Sequence, residues 1–125
     1  MARILIVDDE ESARMFEETI LTDAGHDVCS SPGAEQALRQ YLENDFDLVI
    51  TDLQMPDLHG FELISILRDL IPSPPVIAVS GAGETQLHEA RHLGAIATLA
   101  KPIDAARLLR AVDEVLATEG ATTAG

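Results

Sequence analysis

The chain has 125 residues, 46% of them hydrophobic, which is enough for one globular domain around one substantial core. A formal charge of −14 opposes binding to nucleic-acid phosphates or to an anionic membrane, and three Phe, one Tyr and no Trp leave no platform for stacking bases. No apolar run approaches the roughly 20 residues of a membrane helix, and the single Cys29 forbids an internal disulfide, so the expected location is the reducing cytoplasm.

Arg3 to Val7 reads as a first strand and runs into Asp8-Asp9-Glu10. Residues 11–24 follow as a helix, with Met15, Phe16, Thr19, Ile20 and Leu21 recurring at three- and four-residue spacing as its expected core face. Gly25 is placed to stop that helix in a left-handed conformation. Residues 26–30 form a short second strand in which Cys29 is expected to act as a small hydrophobe. Ser31 and Pro32 suit the N-cap and first position of a second helix reaching residue 43, with Ala34, Ala37, Leu38, Tyr41 and Leu42 inward.

Residues 47–51 are the third strand, and Asp52 ends it. The loop Leu53-Gln54-Met55-Pro56-Asp57-Leu58-His59-Gly60 leads into a third helix over residues 60–70, with Leu63, Ile64 and Leu67 inward. Met55-Pro56 is expected to shape this loop and Asp57 to be solvated. Pro72-Ser73-Pro74-Pro75 breaks the helix. Val76 to Val79 is the fourth strand, ended by Ser80, and Gly81-Ala82-Gly83 turns into a fourth helix over residues 84–93, stopped by Gly94. Residues 96–100 are a weaker fifth strand ending at Lys101-Pro102. The last helix covers residues 104–117, with Leu108, Leu109, Val112, Val115 and Leu116 apolar and Asp104 as its cap. A domain over residues 1–118 and a small, polar, flexible tail over residues 119–125 are expected.

Strands alternating with helices predict parallel βαβ units with helices on both faces of the sheet, an α/β fold. Ligands bind at the carboxyl ends of the strands in such a sheet, and Asp8, Asp9, Asp52, Ser80 and Lys101 would all emerge there. An isolated buried carboxylate is too costly to keep ionised, so these acids need a cation. Hard oxygen ligands at a partly hydrated site suit Mg²⁺, and Lys101 supplies a mobile positive charge. A carboxylate can act as the nucleophile of phosphoryl transfer, and a metal and a lysine stabilise charge on the equatorial oxygens. Together these groups support transient phosphorylation of Asp52.

Asp8-Asp9, the run from Asp52 to Gly60, Ser80 and Lys101-Pro102 resemble the receiver domain of two-component response regulators, over residues 2–118. The resemblance implies a doubly wound, flavodoxin-like sheet of five parallel strands in the order 2-1-3-4-5 with five helices. It implies Asp52 as phospho-acceptor and Mg²⁺ held by Asp9, Asp52 and the backbone carbonyl of Gln54, with Asp8 acting mainly through water. Lys101 would contact the phosphoryl group, Pro102 would follow a cis peptide, and Ser80 would be the switch hydroxyl. A histidine kinase or phosphotransfer protein would be the donor, with a downstream protein as target. Many receivers carry an aromatic residue three positions before the lysine, where this chain has Thr98, so coupling should run through residues 81–83 and the fourth helix.

Other readings compete. A receiver-like module could bind partners without phosphorylation, and an Mg²⁺-dependent phosphohydrolase could use Asp52 on a separate substrate, although no cap segment for one is evident. His88-Glu89-Ala90-Arg91-His92 matches the zinc-binding H-E-x-x-H pattern, with Glu114 as a nominal third ligand. The helix is short and lacks any downstream histidine extension, which favours a solvated helix face over a zinc metallohydrolase.

Overall fold

The computed structural model describes residues 2–54 and 60–124, and side chains as far as Thr118. The loop residues Met55, Pro56, Asp57, Leu58 and His59 lie outside the described residues, as does Gly125 of the expected tail. Five strands, β1 (Arg3–Val7), β2 (Asp27–Ser31), β3 (Leu48–Asp52), β4 (Val76–Ser80) and β5 (Ala97–Ala100), pair in parallel in the order 2-1-3-4-5. Five helices alternate with them: α1 (Glu11–Asp23), α2 (Ala34–Glu43), α3 (Gly60–Arg68), α4 (Glu84–Leu93) and α5 (Ala105–Ala124). This is the doubly wound arrangement expected from the alternation of elements.

The period of two in β1 explains the two cores. Leu5 and Val7 join Val49, Ala78, Ala37, Leu63, Ile64, Leu67 and Leu87 beneath α2, α3 and α4. Ile4 and Ile6 face the other way, with Leu48, Ile50, Ile77 and Val79, and meet Leu21, Leu108, Val112 and Val115 from α1 and α5. β3 and β4 are buried at every position, as central parallel strands should be. Burying each such branched side chain contributes roughly 2 kcal/mol relative to leaving it in water.

Several local expectations need correction. On α1, Met15, Phe16 and Thr19 are exposed; the buried positions are Glu17 and Leu21. The helix is rotated about its axis so that the Leu21–Glu17 row, not the Met15–Phe16–Thr19 row, meets the sheet. On α2, Leu42 is exposed, while Ala34 and Ala37 are buried and Leu38 and Tyr41 pack against the core. Ser31 does not cap α2: it is the buried last residue of β2, its hydroxyl donates to the Gly33 carbonyl, and Gly33 occupies the cap position. The backbone of α5 stays helical to Ala124 instead of ending near residue 117, since adding residues to an existing helix is easy once its nucleus is formed. Asp104 does cap it, its carboxylate accepting from the Arg107 N–H at 2.8 Å.

Candidate phospho-acceptor site

Three strand ends build the site. Val7 lies level with Thr51 across β1 and β3, so Asp8 is carried just past the tip of β1, beside Asp52 at the end of β3. On the far side, Ser80 lies opposite Ala100, and the Lys101 N–H donates to the Ser80 carbonyl at 2.9 Å. The lysine therefore leaves β5 at the same edge. Its Nζ lies 3.2 Å from Asp8 Oδ2 and 3.1 Å from Asp52 Oδ2. Residues 93 and 49 positions away in sequence converge on one ammonium group.

Asp8 and Asp52 are buried, at 2% and 7% exposure, whereas Asp9 is exposed. One carboxylate oxygen from each of the three lies within 4.8 Å of the others. That donor set fits a hard divalent cation: two oxygens come from a sheltered edge, and the third faces the solvent from which metal-bound waters would come. Backbone amides hold the carboxylates in place, Asp8 Oδ1 accepting from the Glu10 N–H at 2.9 Å and Asp52 Oδ1 from the Gln54 N–H at 3.2 Å.

The electrostatics follow from this crowding. Burial raises the Asp8 pKa, and the Asp52 charge adds to the effect against the opposing pull of the Glu10 amide and Lys101. Burial alone would lower the Lys101 pKa, but the bonds and charges of Asp52 and Asp8 together outweigh it, and the net direction is upward. The ammonium is thus firmly charged.

Gly60 explains how the Asp52 loop closes. A Cβ at that position would overlap the Asp52 carbonyl oxygen and come within 2.7 Å of Leu53 Cα, so no larger residue fits without moving the strand end. The peptide before Pro102 is cis, as the resemblance implied.

Ser80 is buried and does not point its hydrogen at the acids: its hydroxyl donates to Gln86 Oε1 at 2.8 Å and accepts from the Ala82 N–H at 3.0 Å. Thr98 accepts from Arg91 Nε at 3.2 Å. Two polar bonds thus tie α4 to β4 and β5. Sequence reasoning missed Gln86 and also Arg14, whose guanidinium donates to the Asp8 carbonyl at 2.8 Å. Neither carries a local signal, because both partners come from other elements. His88 and His92 are both exposed on α4, and among the described residues neither belongs to a group of three potential metal ligands, so Glu114 does not complete a site with them.

Residues 4–113 match the response regulator receiver domain. The chain belongs to that family. It is 31% identical over 115 residues to the chemotaxis protein CheY of Thermotoga maritima, covering 90% of this chain and 96% of that one. It is 38% identical over 112 residues to the sensory/regulatory protein RpfC of Xanthomonas campestris, covering 86% of this chain but only 15% of RpfC. Among solved structures, a CheY-like receiver domain protein from Methanospirillum hungatei superposes with a TM-score of 0.92 at 28% identity, over 98% of both chains. The chemotaxis response regulator CheY4 of Vibrio cholerae gives 0.86 at 30% identity, over 92% of this chain and 98% of that one. This chain is therefore a signalling receiver domain of two-component systems, a family whose members accept a phosphoryl group on aspartate and bind Mg²⁺ in an acidic pocket. Neither the zinc hydrolase reading nor the phosphorylation-independent one is favoured.

Proposed function

We propose that Asp52 is the phospho-acceptor of this receiver, charged by a phosphohistidine of a histidine kinase or phosphotransfer protein. The bridge from Lys101 Nζ to both Asp8 and Asp52 is the observation that carries this reading. It supports Asp52 as the attacking carboxylate at a strand tip, with one oxygen paired to Lys101 and the other oriented by the Gln54 amide. An oxygen of Asp52 forms the new bond to phosphorus while the bond from phosphorus to the donor imidazole breaks, the electron pair leaving with the imidazole. Lys101 then transfers its hydrogen bond from the carboxylate to a phosphoryl oxygen, and Ser80 is the nearby hydroxyl for another. Asp8, Asp9 and Asp52, with the Gln54 carbonyl, would hold Mg²⁺, which neutralises charge accumulating on the transferred group.

The same residues serve slow hydrolysis of the acyl phosphate, so the domain acts on itself and turns over no separate substrate. The Ser80–Gln86 and Arg91–Thr98 bonds link the site to α4 and β5. Recruiting Ser80 to the phosphate would release Gln86 and alter the partner-binding face formed by α4, β5 and α5. The chain spans about 15% of the length of RpfC, and its downstream partner is a protein yet to be assigned. No described helix is long and apolar enough to cross a membrane, and a cytoplasmic location suits chemistry that draws on intracellular phosphohistidine.

Intact mass after incubation with acetyl phosphate tests the assignment. A phosphoryl adduct that requires Mg²⁺ and disappears in Asp52→Asn is expected. Its persistence in the variant, or its absence from the folded, Mg²⁺-binding protein, would overturn it.

A further inference from the structure

Behind Lys101, away from Asp52, a pocket of about 380 Å³ opens between α1 and the segment joining β5 to α5. Its volume falls within the range of small-molecule sites, roughly 300–1,000 Å³. Ala13, Phe16 and Ile103 supply apolar wall, and Glu10, Glu17 and Lys101 supply the polar groups. Glu17 is 2% exposed; no hydrogen bond to its carboxyl is seen among the described residues, and its oxygens are not among the fully enclosed unpartnered atoms, so they open toward the pocket that the residue lines. A leucine there would fill the space without penalty, so a carboxyl kept in apolar surroundings points to something it binds.

We propose that this pocket binds a small organic cation, an amidinium or ammonium group carried on a compact apolar body, with Glu17 as its anchor. The sign of the ligand follows from the surrounding charges. Glu10 lines the pocket beside Glu17, the negative charges of Asp8 and Asp52 reach into it, and Lys101, the cation among its described lining residues, is already bonded to Asp8 and Asp52. An anion would meet repulsion there. The apolar wall argues against a bare divalent ion, which keeps its waters and needs oxygen on several sides. Phe16, 45% exposed at the rim, is suited to cover an apolar ring or to meet a cation through its face.

An amidinium matches a carboxylate with two parallel N–H···O bonds. Burial together with the charge of Asp8 holds the free Glu17 carboxyl as the neutral acid, up to about 8. Binding therefore releases its proton to solvent and leaves an ion pair in place of an unpartnered acid. Lys101 forms both a wall of this pocket and the bond to Asp52, so an occupant sits one side chain away from the acceptor carboxylate.

Benzamidine is the probe, titrated near pH 8 with Mg²⁺ in excess to occupy the acidic cluster, and followed by calorimetry and amide chemical shifts. Saturable binding is expected, with shifts at Ala13, Phe16 and Ile103, and with at least about tenfold weaker affinity in Glu17→Gln, the loss of one charge-assisted contact. Benzyl alcohol, of similar shape without charge, should not compete. Glu17→Leu provides a second variant in which the pocket has no buried carboxyl, and it too should lose binding. No binding by the wild type, equal affinity in both variants, or shifts confined to the neighbourhood of Asp9 and Asp52 would overturn the proposal.

Discussion

The two sides of Lys101 treat a buried carboxyl differently. On one side Asp8 and Asp52, nearly as buried as any core residue, each accept a bond from its ammonium and from a backbone amide. On the other side Glu17 is equally buried, no bond reaches it among the described residues, and the charge of Asp8 acts on it more strongly than that of the same lysine. The contrast separates two ways of keeping an acid inside a protein: pair it and hydrogen-bond it, or let it hold its proton. Only the first leaves a carboxylate able to attack phosphorus.

Removing the unpaired acid should have the largest effect. A glutamate that titrates near 4.5 when unfolded and near 8 when folded makes the folded state hold a proton that the unfolded chain releases between those values. Stability is therefore full below the unfolded pKa, falls as pH rises through this window, and levels off above about 8. Glu17→Leu should accordingly raise stability at pH 8 by on the order of 4 kcal/mol, and by less than about 1 kcal/mol near pH 5. Urea unfolding at the two pH values measures this, and a pH-independent difference would show that Glu17 is ionised and paired after all.

Removing the cation on the paired side comes next. Lys101→Met leaves Asp8 and Asp52 facing each other without compensation, which should cost about 3 kcal/mol at neutral pH without divalent ions. Added Mg²⁺ should return much of that stability, because it binds only where the three carboxylates are assembled. Denaturation midpoints with and without Mg²⁺ supply the test. A variant as stable as the parent without metal would mean that the acids do not repel through this site.

How much of this could be read from the chain depends on whether the signal was local. Asp8, Asp52, Ser80 and Lys101 each end a short apolar run, and in a parallel sheet the end of a run is the edge of the sheet, so their convergence was legible without coordinates. The strand order came from resemblance to receivers, since pairing between distant segments leaves no local mark. The face of α1 was misread because apolar residues were assumed to point inward. Counting back from Leu21 by four reaches Glu17, and that row would have been found had a buried glutamate been considered. The length of α5 was missed for the opposite reason: residues 118–124 are small or polar and carry no apolar period in the sequence, so nothing there marked the helix as continuing.

The smallest expected effect concerns a third way of satisfying a buried polar group near the site. Ser80, only 1% exposed, relies on Gln86 to take its hydroxyl hydrogen, so Gln86→Ala leaves a buried donor without its partner. A loss of about 1 kcal/mol is expected, typical of one neutral hydrogen bond. The first turn of α4, attached to β4 through this bond, should exchange its amide hydrogens faster, whereas the carboxylates around Lys101 should be undisturbed and Mg²⁺ affinity unchanged. If Mg²⁺ affinity fell together with α4 protection, Ser80 and the acids would form one polar network. If neither changed, the hydroxyl would have found another acceptor, and the route from Asp52 to α4 would have to run through Arg91 and Thr98 instead.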